Sequence, residues 1–372
     1  MAVSVIGLGG LYRRTMSRLA LIAALGLGGG LAAVTAAAPA QAAVPDHWGF
    51  AYVNMPAGIP DVSHQAGSWP APFKVTVSPG APGQEFVRFP RIGSKAGVVH
   101  VTAVADLAVW CQAQRWFPSG PDEMAAIRCF RPGGVPMFVP FAVTFTQSSG
   151  GPLPPGRAYG YVHFGGGIVS KFNSSGGAVT VTGAGAGAWV VRMGGLGSAG
   201  LSGNVQVTAV DPLMPAKCKL AAWKALPSEQ EFLVRCFGAL ATPLNTGWDL
   251  SYQRGRAITG TLPKLLAYTF DNSPLTIGPY APVPPAVNFN SLAGINTIRA
   301  AGLGLRLVVF PRVGVLPNTV LVTAFGPSPD FCNMLTIWGS AGGQVLVRDV
   351  ACYTAAGARQ PQASLITYTS AR

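Results

Sequence analysis

Apolar and polar residues alternate over short runs in this chain, and the runs return in the same order three times. The first pass reads FAYV at 50–53, FKVTV at 73–77, EFVRF at 85–89 and VVHVTAV at 98–104, followed by the stretch ending at Trp110, MAAIRCF at 124–130 and FAVTF at 141–145. The second reads YGYV at 159–162, AVTVT at 178–182, AWVVRM at 188–193, NVQVTAV at 204–210, FLVRCF at 232–237 and WDLSY at 248–252. The third reads LLAYTF at 265–270, INTI at 295–298, LRLVVF at 305–310, TVLVTAF at 319–325, MLTIW at 334–338, QVLVRDVACY at 344–353 and ASLITYT at 363–369. β-Branched and aromatic residues spaced by two, bounded by clusters of Gly, Pro, Asn and Ser, predict short strands and turns. No stretch carries a 3.6-residue apolar stripe of helical length, and 48 Gly with 32 Pro disfavour long helices.

The repetition fixes the architecture. Phe89, Met193 and Phe310 recur, as do Thr102, Thr208 and Thr323. So do three cysteine pairs: Cys111/Cys129, Cys218/Cys236 and Cys332/Cys352. The expected fold is all-β: three tandem antiparallel β-sandwich or small-barrel domains at 43–150, 151–258 and 259–372, each with one intradomain disulfide. Short joins at 146–157 and 253–263 bring neighbours into contact. Propeller blades are about 40–50 residues long, less than half this period.

Residues 1–42 read as a signal peptide: Arg13, Arg14 and Arg18 flank an apolar run from Leu19 to Ala38, and Ala40-Gln41-Ala42 is a small-x-small cleavage site. Thr15 and Met16 fit twin-arginine export poorly. No later segment offers the about 20 apolar residues of a membrane-spanning helix. The expected location is secreted or cell-surface. In that setting the cysteine pairs, 18, 18 and 20 residues apart, read as disulfides. A structural zinc site needs four Cys or His ligands where each repeat supplies two Cys, so neither a metal nor a cofactor is expected.

The net charge is +13 with 10% charged residues and 49% apolar ones. That is a sparse basic surface rather than a Lys/Arg tract. It suits anionic cell-wall or glycan ligands and gives no dedicated nucleic-acid partner. Candidate ligand contacts are the recurring Trp116, Trp223 and Trp338, and the recurring Arg128, Arg235 and Arg348. The tryptophans are either rings packed beside the disulfides or exposed platforms for a sugar. The arginines are either solvated strand residues or a repeated anion contact. FNSSGG at 172–177 and FNSLAG at 289–294 read as turns opening a strand. GAGAGA at 183–188 lacks the helix and acidic partner of a dinucleotide fingerprint. No GxSxG, HExxH or P-loop occurs, and the Asp122-Glu123 pair is not repeated in the third block, so no catalytic residue is assigned.

GNVQVTAV…C…W…VRCF at 203–237, with weaker copies at 97–130 and 318–352, resembles a block of uncharacterised secreted actinobacterial β-repeat proteins with paired cysteines. The resemblance implies an exported bacterial β-repeat protein and carries no activity, cofactor or site residue with it. The third block departs from it by stretching VRCF to VRDVAC. The expected function is non-enzymatic binding of cell-envelope or carbohydrate ligands. A divergent secreted hydrolase and a structural envelope or spore-surface component are the alternatives.

Overall fold

The computed structural model describes residues 46–150, 153–260 and 265–372. The leader at 1–42 lies outside the described residues, and both joins fall partly outside them. In the first block the strands are β1 (His47–Val53), β2 (Gln65–Gly67), β3 (Thr76–Pro79), β4 (Gln84–Phe89), β5 (Val98–Ala103), β6 (Trp110–Ser119), β7 (Asp122–Arg131), β8 (Val135–Pro136) and β9 (Phe141–Gln147). The second holds β10 (Ala158–Phe164), β11 (Ile168–Asn173), β12 (Val179–Gly183), β13 (Ala188–Gly194), β14 (Asn204–Val210), β15 (Ala216–Ala225), β16 (Glu229–Gly238) and β17 (Gly247–Arg254). The third holds β18 (Leu266–Asp271), β19 (Phe289–Asn290), β20 (Thr297–Gly302), β21 (Leu305–Phe310), β22 (Asn318–Ala324), β23 (Phe331–Met334), β24 (Gly339–Ala341), β25 (Gln344–Tyr353) and β26 (Ser364–Ser370). Among the described residues there is no α-helix, only two single 3₁₀ turns.

The three blocks share one topology. One four-stranded antiparallel sheet runs β2-β1-β9-β5, repeated as β11-β10-β17-β14 and β19-β18-β26-β22. The facing sheet runs β3-β4-β7-β6, repeated as β12-β13-β16-β15 and β20-β21-β25-β23. Phe89, Met193 and Phe310 lie fully buried in the three cores between these sheets. The cysteines sit directly opposite one another in the β6/β7, β15/β16 and β23/β25 pairs, with Cα atoms 4.0–4.1 Å apart. These are the close, non-hydrogen-bonded positions of an antiparallel ladder, where facing side chains come nearest to one another.

The expected pairing is the one formed: Cys111 to Cys129, Cys218 to Cys236 and Cys332 to Cys352. The two ends of each bridge differ in burial. Cys129, Cys236 and Cys352 are 0%, 0% and 1% exposed and belong to the three block cores, while Cys111, Cys218 and Cys332 are half-buried. The second cysteines stand on β7, β16 and β25, which have a hydrogen-bonded neighbour on both sides; the first stand on the end strands β6, β15 and β23 of the same four-strand runs.

Two kinds of strand explain the sequence pattern. Strands of the outer sheets alternate: β21 buries every second residue, and its other residues are part-exposed. The strands carrying VTA do not alternate. Every residue of β5, β14 and β22 is buried, because one face packs on the strand's own block and the other on a neighbouring block. The blocks are therefore interlocked, and the described residues form one compact unit.

The interlock is cyclic. The residue closing each VTA strand makes a parallel bridge to the neighbour's first cysteine strand: Val104 to Met334, Phe325 to Leu220 and Val210 to Ala113. The three threonines tie the same ring. Thr102 Oγ1 accepts the Val322 amide at 2.9 Å, Thr323 Oγ1 accepts Val207 at 3.1 Å, and Thr208 Oγ1 accepts Val101 at 3.3 Å. One turn further out, a polar side chain from each first-cysteine strand enters the neighbour's loop. Asn333 Nδ2 donates to the Leu107 carbonyl at 2.8 Å, Gln112 Nε2 to Asp211 at 2.8 Å and Met214 at 2.9 Å, and Lys219 pairs with Asp330.

This interlock also explains where strands depart from expectation. The stretch ending at Trp110 is a loop with β6 starting at Trp110, because the carbonyls of Ala105, Leu107 and Val109 turn to Asn333 instead of a ladder. Only Met334 of MLTIW is strand. Beyond it the chain leaves the sheet to carry Trp338 inward, where its indole N–H donates to Asn318 Oδ1 at 2.6 Å. The joins are shorter than expected, since β9 reaches Gln147 and β17 reaches Arg254.

Replacing Thr102, Thr208 or Thr323 by the isosteric Val leaves a buried amide on the next block without its acceptor. Each change is expected to cost about 1–3 kcal/mol, read as a lower urea midpoint. Thr180→Val, on part-exposed β12, is the control and should leave the midpoint unchanged.

Candidate functional site

The recurring tryptophans point inward. Trp223 and Trp338 are buried, and their indole N–H groups are used internally, on Gln230 Oε1 at 2.8 Å and Asn318 Oδ1 at 2.6 Å. Trp116 is half-buried, donates to Asp249 Oδ2 at 3.1 Å and packs 4.7 Å from the His163 ring. None presents an open ring face of the kind a sugar platform needs, and burial removes that argument for Trp223 and Trp338. The cysteines belong with them. Cys129, Cys236 and Cys352 are closed off in the block cores, so these bridge residues are structural and offer no surface to a ligand. The asparagines of the two FNS turns act as turn braces. Asn173 Nδ2 donates to the Gly194 carbonyl at 2.8 Å and Asn290 Nδ2 to the corresponding Pro311 carbonyl at 2.9 Å.

Among the described residues, polar groups of the kind hydrolases use come close together at three histidines without assembling a reactive set; at the first, His64 Nδ1 lies 2.9 Å from Asp61 Oδ2 across one short 3₁₀ turn. His100 Nε2 lies 2.8 Å from Ser251 Oγ, and its Nδ1 lies 3.2 Å from Thr208 Oγ1. A catalytic histidine needs a carboxylate on that second nitrogen; here it meets a hydroxyl, and the residue is 2% exposed. Burial, against a weaker pull from Asp249, holds its pKa down at about 4, so the ring is neutral at pH 7. His163 Nδ1 has a carboxylate, Asp249 Oδ1 at 2.6 Å, but Asp249 also accepts the Val99 amide at 2.7 Å and the Trp116 N–H. It is a junction between the first and second blocks. Asp122 and Glu123, adjacent on a strand, face opposite ways. Asp122 is held by Arg88 Nε at 2.6 Å and the Arg91 amide at 2.9 Å, while Glu123 accepts the Ser94 amide at 2.9 Å and is fully buried.

The recurring arginines divide. Arg128 is half-buried, with Nε donating to the Pro82 carbonyl at 3.1 Å and its guanidinium over Phe130. Arg235 is half-buried, donating to the Pro327 carbonyl of the third block at 2.9 Å and lying over Phe237. Arg348 is exposed and joins Arg299, also exposed, in an open groove of about 740 Å³ on the outer face of the third block. The groove is built by alternation on three adjacent strands. Arg299 comes from β20, Leu307 and Val309 from β21, and Leu346 and Arg348 from β25, while the intervening residues enter the core. Neither arginine forms an ion pair among the described residues. The groove's one carboxylate, Asp349, has its pKa raised by burial, against the pull of Arg348 and Arg299. The chemistry on offer is two planar cationic forks beside an apolar floor. Sequence reasoning included Arg348 but missed Arg299, because INTI at 295–298 placed the strand too early; β20 runs from Thr297 to Gly302.

No family model, no curated protein and no solved structure matches this chain.

Two buried groups give opposite pH dependences. For His100 the unfolded ring takes up a proton near pH 6.5 and the folded one near 4, so His100 erodes stability as pH falls through that window, by about 3 kcal/mol in full. Glu123 is raised to about 8 by burial, so the folded state keeps a proton that the unfolded one releases. Its contribution is present in acid and is lost as pH rises from about 4.5 to 8. In urea titrations across pH, His100→Gln should flatten the fall in stability from about pH 6.5 down to 4, and Glu123→Gln the fall from about pH 4.5 up to 8.

Proposed function

We propose that the protein is an exported, non-enzymatic binding protein of three β domains, 43–150, 151–258 and 259–372, behind a cleaved leader at 1–42, and that it holds acidic glycans or anionic cell-wall polymers in the groove of its third domain. The carrying observation is the pair Arg299 and Arg348, exposed and without ion-pair partners among the described residues, beside the Leu307, Val309 and Leu346 floor. Guanidinium forks match carboxylate and phosphate oxygens two at a time, and an apolar floor accepts the face of a sugar ring. Without the leader's Arg13, Arg14 and Arg18 the chain's net charge of +13 falls to about +10, which still draws anionic polymers toward the surface. Export is supported by three disulfides and by the leader's sequence. Among the described residues no helix is long and apolar enough to cross a membrane. The non-enzymatic reading is supported by the burial of His100 and by the use of Asp249 as a junction between blocks.

Calorimetry with a uronic-acid oligosaccharide and its carboxyl-reduced, neutral counterpart tests this reading. The acidic sugar should bind with salt-sensitive affinity and come through unhydrolysed. Arg299→Ala with Arg348→Ala should weaken it about tenfold or more, while Arg128→Ala leaves binding intact. Equal binding of the neutral sugar, or undiminished binding by the double variant, overturns the reading.

A further inference from the structure

The three first-cysteine strands converge where the VTA strands meet, and between them lies a small cavity of about 50 Å³. It is lined by equivalent residues from all three blocks: the threonines Thr102, Thr208 and Thr323, and the residues preceding the first cysteines, Trp110, Lys217 and Phe331. That last set is the informative one. Two blocks contribute an aromatic ring and the second contributes a lysine. Lys217 Nζ sits 4.5 Å from the Trp110 ring centroid and 5.0 Å from that of Phe331. The residue is 5% exposed, and Nζ has no hydrogen-bond partner among the described residues.

An ammonium carries three N–H donors. Two ring faces stabilise its charge but accept none of those bonds in full. A buried cation left this way is costly unless something compensates it. The neighbouring charges make the need larger. Lys219, 3% exposed, also lines the cavity and is already paired with Asp330, the one carboxylate there. Lys217 and Arg235 both repel the Lys219 charge. With two lysines and one aspartate, the cavity walls carry one positive charge in excess when both lysines are protonated, and burial lowers the Lys219 pKa to about 7, so the unrelieved charge is costly there too.

We infer that this central cavity is a binding site for one small monovalent anion of the halide class, held by Lys217 Nζ between the Trp110 and Phe331 rings. The size sets the class. A cavity of about 50 Å³ takes a halide with a water beside it and is far below the roughly 300–1,000 Å³ of organic-ligand pockets. The excess charge sets the valence. Burial pulls the Lys217 pKa down to about 8, and a bound anion would raise it again. The site ties ion binding to assembly of the three blocks, since no single block supplies all its walls.

Two measurements test it. Crystals of the protein soaked in sodium bromide should show an anomalous peak in contact with Lys217 Nζ. An empty or water-filled cavity beside bromide peaks elsewhere overturns the site. In thermal unfolding at matched ionic strength, chloride and bromide should raise Tm relative to gluconate, which is too large to enter. Lys217→Met, which keeps the length and removes the charge, should lose that difference. A variant retaining the same chloride dependence overturns the assignment. If Lys217→Met fails to fold, the bromide map of the unaltered protein decides alone.

Discussion

The structure depends on the double-sided burial of three short strands. A strand in an ordinary two-sheet sandwich covers one face and wets the other, and its sequence alternates accordingly. The VTA strands cover both, and the second face is always a different block. That demand accounts for the small, neutral composition of β5, β14 and β22 and for threonine as the recurring polar residue. Threonine fills the space of valine, and its hydroxyl answers a backbone amide on the neighbour's edge that has no ladder partner. The hydrogen bonds of 2.9, 3.1 and 3.3 Å around the ring are the consequence. Each disulfide clamps the hairpin that presents the next layer of the ring, so the covalent links stay inside blocks while non-covalent contacts hold the blocks together.

Much of the architecture was legible because it repeats. Three copies of VTA with a flanking cysteine pair, and buried anchors at Phe89, Met193 and Phe310, define strands that a single copy would leave ambiguous. Strands were missed where charge masked the pattern. β15 reads AKCKLAAWKA, and its two inward lysines make no sense for a strand until the cavity and Asp330 are seen. Strands were over-read where an apolar stretch served a neighbour instead of a ladder. Residues 105–109 are apolar enough for a strand, but their carbonyls belong to Asn333, more than 220 residues away. No local rule can report a partner that distant.

The candidate site was less legible than the fold for a related reason. Repetition marks what the three blocks share, and what they share is structural. Trp116, Trp223 and Trp338 recur because each places an indole against its own core. Cys129, Cys236 and Cys352 recur because each anchors its bridge in that same core. Arg128 and Arg235 recur because each caps a proline carbonyl and covers a phenylalanine. The groove lies where the third block has drifted from the pattern, at Arg348, and its second cation, Arg299, has no counterpart in the repeated motif.

The same logic governs the centre of the ring. Three separate identical chains would place the same residue three times around the axis, and three lysines at the position of Lys217 would repel one another in a buried space. Joining the blocks in one chain removes that restriction. The position can hold Trp110, Lys217 and Phe331, one cation between two rings, and another can hold Gln112, Lys219 and Asn333, each matched to a different loop. The sequence differences at these two positions are therefore the informative ones. A framework kept alike by shared burial leaves its chemistry to the residues at which the copies disagree.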